Sequence, residues 1–420
     1  MKTVSHDSFN FKDYIQPGDH ILCGQCTAEP LTLTEKLVRE RSQLGGCTVF
    51  LGALYSNTFQ PEHSDQLSFY SYGGIGKAAV LAKAGVLDQL PHQYSAFSRA
   101  FGDGSLRADC VLLQLSKHPV SGQLNFGLSH DYTALAARQA RVVIAEINPD
   151  VPYCHGADVP DDINIDLLVD AIKPPIEVST PQLSEVELKI GALVASLIPN
   201  QATIQVGVGG IPHAVLQSLQ QHRDIGIHSG IVTDGMLDLI EQGVVTNRYK
   251  TRDQGITLTG NLMGSRRFMD YIDDNPSFSM SPPADTHGFG RLSSIDNFIA
   301  INSAIEIDPL GQINSEVANG VHIGATGGQL DYMRGANASK GGRAIIALPS
   351  TARGGSISRI VPSLTRVSCP TSEVDVIITE WGIAELHGCT IKQRIPQIIA
   401  IAAPQFRDQL NKAFKQGDYK

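Results

Sequence analysis

The stretch from Gly324 to Gly342, G-A-T-G-G-Q-L-D-Y-M-R-G-A-N-A-S-K-G-G, sets glycines around a few polar residues and is followed by a short apolar run, Ala344 to Leu348. Glycine has no Cβ, so the chain there can turn tightly and come close to a ligand. Such a loop aims main-chain N–H groups at an anion, or at an oxyanion that forms during a reaction. A second loop, G-V-G-G-I-P at Gly207 to Pro212, follows the apolar run Thr203 to Val206. Two loops of this kind in one chain point to an enzyme whose substrate carries phosphates or a reactive carbonyl. By itself G-x-G-G is a weak dinucleotide signal, and no clear acidic residue follows about 20 positions on. His228 and Ser229 are adjacent, but no Asp completes a convincing Ser-His-Asp set. Cys23 and Cys26 form a C-x-x-C without the second ligand pair that zinc needs.

The elements that must position these loops alternate. His20 to Cys23, Thr48 to Leu51, Cys110 to Leu115 and Val142 to Ile147 read as strands, the last two as continuous buried runs. Leu31 to Gln43 reads as an amphipathic helix and Gly52 to Asp65 as an irregular polar loop. The segment Ile172 to Glu185 carries three prolines and reads as a linker. Ser184 and Glu187 are spaced as a capping box for a helix running to about Leu197. The pattern then restarts, with strands expected at Thr203 to Val206, Ile225 to His228, Phe298 to Asn302, Ala344 to Leu348 and Val374 to Thr379. This is an α/β chain with a mainly parallel sheet in each half. The halves are 1–178 and 179–420.

Bulk properties narrow the partners. The chain has 420 residues, 42% hydrophobic and 18% charged, which suits a globular protein of two domains. A net charge of −9, with the acidic residues spread along the chain, argues against nucleic acid, whose binding needs a basic face. No run of about 18 apolar residues spans a membrane, and the N-terminus shows no signal core. Seven scattered cysteines fit a reducing cytoplasm. A homo-oligomer is the default assembly.

Beyond single loops, the combination of motifs resembles the acetyl-CoA hydrolase/transferase family, class I CoA-transferases that include the 4-hydroxybutyrate and butyryl-type enzymes. The matching residues are Q-V-G-V-G-G-I-P-H-A-V-L from Gln205, G-I-H-S-G-I-V-T-D-G from Gly226, L-I-E-Q-G-V-V-T-N from Leu239, I-N-S-A-I-E-I-D-P-L-G-Q from Ile301, the Gly324 stretch, S-R-I-V-P from Ser358 and I-T-E-W-G-I-A-E-L from Ile378. The first half matches more loosely through A-E-P at Ala28, S-H-D-Y at Ser129 and A-E-I-N at Ala145. The resemblance implies two similar open-sheet domains with the active site between them. It also implies ping-pong transfer of CoA through an acyl-glutamyl anhydride and a glutamyl-CoA thioester. Coenzyme A is then a carried substrate rather than a bound cofactor, acyl-CoA and small carboxylic acids are the partners, and no metal is needed. Each addition step makes an oxyanion, and one fixed donor to it is worth about 3 kcal/mol.

The sequence departs from that family where its nucleophilic glutamate should stand, because Gly230 follows His228 and Ser229. A glycine makes no anhydride. Glu62, in the polar loop T-F-Q-P-E-H-S-D with His63 beside it to orient it, is the leading replacement, and its bland reading is an exposed loop acid. Glu306 is the alternative nucleophile, or else a structural carboxylate paired with an arginine; Glu380 and Glu29 are further candidates. Gly327, Gly328 and Gln329 are expected at the oxyanion, with Gly328 as the donor. Gly207, Gly209 and Gly210 are expected along the CoA or acyl pocket, and Ser339 and Lys340 near a CoA phosphate or pantetheine oxygen. The missing bulk at Gly230 suggests room for a larger or charged acyl group. The H-S-G and P-E-H sequences look like an itaconate-type branch, in which Arg266 and Arg267 would pair with a distal carboxylate. Acyl-CoA hydrolysis, or CoA-ester binding without catalysis, are the competing functions.

Overall fold

Continuous apolar runs become central strands because both faces of a parallel sheet are covered. Cys110–Lys117 and Val142–Ile147 are buried along nearly their whole length. In the computed structural model, which describes residues 3–415, these two strands pair in parallel at the centre of the first sheet. That sheet runs in the order Thr3–Val4, Leu167–Asp170, Val142–Ile147, Cys110–Lys117, His20–Cys23, Cys47–Leu51, Leu67–Ser71 and Leu87–Gln89. The short strand Leu124–Asn125 lies antiparallel to Cys110–Lys117. The second sheet runs in the order Phe278–Met280, Thr257–Met263, Gly226–Thr233, Thr203–Val206, Phe298–Ser303, Arg343–Ala347, Val376–Thr379 and Gly382–Glu385. It is parallel except for its last pair. The fold is thus α/β with two open, mainly parallel sheets.

Between the sheets the chain crosses in extended form from 171 to 184, and a boundary at 178/179 falls inside this crossing. The helix Glu185–Ala195 then starts on the capping box that the spacing predicts, with Ser184 Oγ accepting from the Glu187 amide and Glu187 returning the bond. Eight strands of the two sheets escape the sequence reading, among them Leu67–Ser71, Leu87–Gln89, Leu167–Asp170 and Thr257–Met263. The last, T-L-T-G-N-L-M, is buried at every position although half of it is polar or glycine. Its polar groups are paired instead of solvated; Thr259 Oγ1, for example, donates to Asn261 O at 3.0 Å. Among the described residues no helix is long and apolar enough to cross a membrane.

The A-E-P and A-E-I-N motifs have a structural role here. Glu29 and Glu146 are both fully buried beside the first turns of the helix Leu31–Glu40. Glu29 accepts from Thr34 Oγ1 at 3.0 Å and Glu146 from the Leu33 amide at 3.3 Å. Burial lifts both acids, Glu146 to about 8, and its proximity to Glu29 adds to that rise. A folded-state value above the unfolded one means that this stability is complete below about pH 4.5 and is lost as pH climbs through about 8. Glu146→Gln removes the titration at constant volume. Urea unfolding at pH 5 and pH 8 should therefore show wild type falling against the variant by up to about 1.4 kcal/mol per pH unit. A pH-independent difference would refute the assignment.

Candidate active site

Parallel strands end on the same side, so the loops after them gather along one edge of each sheet. The two such edges face each other here and enclose an inner chamber of about 340 Å³. The first half supplies Gln25, Cys26, Ala53, Tyr72 and Tyr94. The second supplies Gly207, Gly230, Asn261, Asn302, Ser303 and the loop from Gly324 to Gln329. An outer chamber of about 380 Å³ adjoins it, lined by Val178 to Pro181, Gly209, His213 and Asp234. Tyr55, Ile75, Gly207 and Val208 line both and form the neck between them. The proline-rich crossing is therefore a wall of the outer chamber as well as a connector. The halves are joined across the seam: the Tyr94 amide donates to Gly327 O at 2.9 Å, Ser95 Oγ to Asp331 at 2.7 Å, the His130 amide to Gly260 O at 2.9 Å, and Thr27 Oγ1 to Leu262 O.

A buried polar network backs the inner chamber. Gln25, 1% exposed, donates through Nε2 to Tyr94 Oη at 2.7 Å and to Asp131 at 2.6 Å. Its Oε1 accepts from Tyr72 Oη at 2.8 Å and from the Ala53 amide at 3.2 Å. Ser129 Oγ bonds Asp131 at 3.0 Å and Asn261 at 2.6 Å, and Asn261 Nδ2 donates to Gly230 O at 3.3 Å. Cys26 has a left-handed φ of 55° and its amide donates to Ala53 O. Both Cys23 and Cys26 are buried, and burial holds their thiols well above the ordinary value. Among the described residues no group of three or more His, Cys, Asp or Glu is placed to hold a metal.

From Tyr94, itself part of this network, the aromatic rings continue through His287 to Tyr332 as a wall, with centroids 4.6 Å apart at each step. His287 is 5% exposed, its Nδ1 lies 2.8 Å from Thr286 Oγ1, and burial takes its imidazole down to about 3, so it is neutral. The ring lies against bare backbone. A Cβ on Gly230 would sit 2.7 Å from His287 Cε1 and 2.7 Å from Tyr332 Oη, and a Cβ on Gly328 would sit 2.5 Å from His287 Nε2. The room expected from glycine at 230 is thus already filled by His287 and Tyr332. Gly328 caps the helix Gln329–Ala338. The Gln329 amide turns back to Thr326 O at 3.3 Å, and Gly327, Gly328 and Gln329 line the chamber at the positive end of the helix dipole.

Of the expected residues, Gly207, Gly230, Gly327, Gly328 and Gln329 meet in the inner chamber, and Gly209 lies in the outer one. The Gln329 side chain is occupied: Nε2 donates to Ser303 O at 2.8 Å and Oε1 accepts from Ser315 at 2.7 Å, which fixes the loop. Gly209 takes φ 122°, a conformation few other residues adopt. Gly210 starts the helix Gly210–Ser218, and its missing Cβ makes way for Glu187 of the neighbouring helix. Gly207 differs, because a Cβ there would meet nothing closer than 3.6 Å. Gly207→Ala should therefore fold normally while narrowing the neck. We expect an unchanged melting temperature and a rise of about tenfold or more in KM for the acyl-CoA, the usual effect of one misplaced methyl group.

The remaining candidates lie elsewhere. Glu62 is exposed in the short 3-10 turn Pro61–Asp65, which leads into the start of the strand Leu67–Ser71 and so to the opposite edge of the sheet. His63 Nδ1 accepts from the Gln60 amide at 3.1 Å and caps that turn. Glu306 is half-buried in a hairpin beside Asn314 Nδ2, at 3.3 Å, and near Arg359. Glu380 holds the Ser350 amide at 2.8 Å. Ser339 and Lys340 close the far end of the helix that begins at Gln329. There Ser339 Oγ is taken up by the Phe298 amide and Ile295 O, and Lys340 is exposed. Arg266 and Arg267 are exposed and paired, with Asp150 and Asp270 and with Asp238 and Glu241. Sequence reasoning missed Gln25, Tyr94, Asn261 and His287, which stand outside the quoted glycine motifs, and passed over Tyr332 within the Gly324 stretch.

Comparison with known proteins settles the family. The acetyl-CoA hydrolase/transferase N-terminal domain matches residues 8–173 and the C-terminal domain of the same description matches 264–414. The chain belongs to the acetyl-CoA hydrolase/transferase family. It is an enzyme that transfers CoA, with CoA as a substrate. The 4-hydroxybutyrate coenzyme A transferase of Clostridium kluyveri is 35% identical to this CoA-transferase over 410 residues, 96% of this chain and 95% of the relative. The butyryl-CoA:acetate CoA-transferase of Anaerostipes caccae is 30% identical, over 95% and 93% of the two chains. RipA from Yersinia pestis superposes with a TM-score of 0.92 at 31% identity, covering 99% of this chain and 97% of its own.

Proposed function

We propose that this CoA-transferase moves CoA from a small acyl-CoA to a short monocarboxylic acid with an uncharged tail. Acetyl-CoA is favoured over succinyl-CoA as donor, and 4-hydroxybutyrate or butyrate over itaconate as acceptor. The observation that carries this reading is the lining of the inner chamber, which includes no Lys or Arg and only a neutral imidazole. One carboxylate can be met by the helix start at Gly328 and by side-chain amides. A second would be buried without a counter-charge, which is costly. The polar pair Gln205 and Asn302, linked at 3.0 Å, offers a partner for a tail hydroxyl. The similarity to transferases named for 4-hydroxybutyrate and butyryl-CoA supports the same class of acid.

The test is a panel of acceptors at fixed acetyl-CoA. Butyrate and 4-hydroxybutyrate should exceed itaconate and succinate in kcat/KM by about 100-fold, the order that one unpaired buried charge implies. Equal values would remove the proposed preference. Rapid thioester loss without any acid would instead assign hydrolysis.

A further inference from the structure

Resting on that reading, we infer that His287 reads the tail of the acceptor acid: its Nε2 accepts a hydrogen bond from a terminal hydroxyl, so a hydroxy acid is chosen over an acid of the same size without that proton. The observation behind this is a bare acceptor on the chamber wall. His287 lines the inner chamber, and among the described residues its Nε2 has no hydrogen-bond partner. The neighbouring residue sets the tautomer. Thr286 Oγ1 donates its one proton to Pro282 O at 3.3 Å, so towards Nδ1, 2.8 Å away, it is the acceptor. The ring proton therefore sits on Nδ1 and leaves a lone pair on Nε2. Burial takes the imidazole down to about 3, so the lone pair stays free throughout the neutral range.

Two glycines keep this nitrogen uncovered. A Cβ at Gly328 would sit 2.5 Å from Nε2 and one at Gly230 2.9 Å from it. What satisfies a lone acceptor is a donor on the substrate. Gln205 and Asn302, on the same chamber, are bonded to each other at both ends, Asn302 Nδ2 to Gln205 Oε1 at 3.0 Å and Gln205 Nε2 to Asn302 Oδ1 at 3.4 Å. Each amide oxygen of that pair already has a donor, so the pair has protons to offer while His287 has a place for one. A hydroxyl gives one proton and accepts others, and so suits both. A methyl tail would leave Nε2 shut off from water without a partner, which is costly. A carboxylate tail has no proton to give and would set its negative oxygens against the lone pair.

The test compares 4-hydroxybutyrate with 4-fluorobutyrate, in which fluorine replaces the hydroxyl at nearly the same size and removes its proton. With acetyl-CoA as donor, wild type should favour the hydroxy acid in kcat/KM by about 10- to 100-fold, the order set by one buried acceptor left without a donor. His287→Leu keeps the bulk of the side chain and His287→Asn keeps a polar group beside Thr286, while both lack Nε2. In either variant the ratio should fall to near one, whatever the absolute rates. A wild-type ratio near one overturns the inference without any variant. A ratio that survives in a variant with a normal melting transition overturns it as well. Both results leave the preference for uncharged tails intact. Itaconate and succinate matching 4-hydroxybutyrate in wild type would instead overturn the reading on which the inference rests.

Discussion

Glutamate introduced at position 230 should lower CoA transfer by at least about 100-fold instead of raising it. Its Cβ alone would press on His287 Cε1 and Tyr332 Oη, both 2.7 Å away, in a wall where these residues are 5% and 3% exposed. The imidazole has nowhere to retreat, because its other side already rests on the bare backbone of Gly328. Overpacking of this kind costs about 1–3 kcal/mol, and the carboxylate would then stand among aromatic rings without a cation. Gly230→Ala isolates the steric part and should lose less. Melting temperature and kcat, measured together for both variants, separate lost fold from lost chemistry. A Gly230→Glu enzyme more active than wild type would show that the wall yields and would refute this packing argument.

Gln25→Leu should destabilise the protein by about 3 kcal/mol or more. Its amide is the centre of the network behind the chamber, and leucine leaves the Tyr72 hydroxyl and the Ala53 amide without their partner and takes one donor each from Tyr94 and from Asp131, which keeps Ser129. Each such buried group costs about 1–3 kcal/mol. Tyr94 also stacks on His287 at 4.6 Å, so its release should disturb the chamber wall and reduce kcat along with stability. Denaturant midpoints and turnover on the same preparations test this. Loss of kcat at an unchanged midpoint would mean that Gln25 acts on substrate rather than through the wall.

Much of the scaffold was legible. Apolar-rich runs such as Val142–Ile147 and Thr203–Val206 form strands with the predicted bounds, because burial on both faces favours apolar residues there, with Glu146, Thr203 and Gln205 as buried exceptions. The Thr257–Met263 strand was not legible, since its threonines and asparagine look like a loop in sequence and find their partners only in the fold, Thr257 at Asn247, Thr259 at Asn261 O, and Asn261 at Ser129 and Gly230. The glycine loops indicated the chamber floor, and Gly207, Gly230 and Gly328 meet there. The residues that share it from the first half could not be found this way. Gln25 and Tyr94 lie 69 positions apart and meet only through the order of the sheet. The choice of Glu62 followed from proximity to a strand end in sequence. The loop instead runs on past that end to the start of the next strand, which carries the acid away.

The bonds across the seam have a further consequence for assembly. Since Tyr94, Ser95, Thr27 and His130 each reach a partner in the other half, the halves should hold together after the backbone is cut within 173–184. A nicked enzyme should elute as one species and keep turning over, whereas either fragment made alone would present an open, half-lined trough. Competence for catalysis is in this sense a property of the docked pair, since each half supplies only part of the chamber lining.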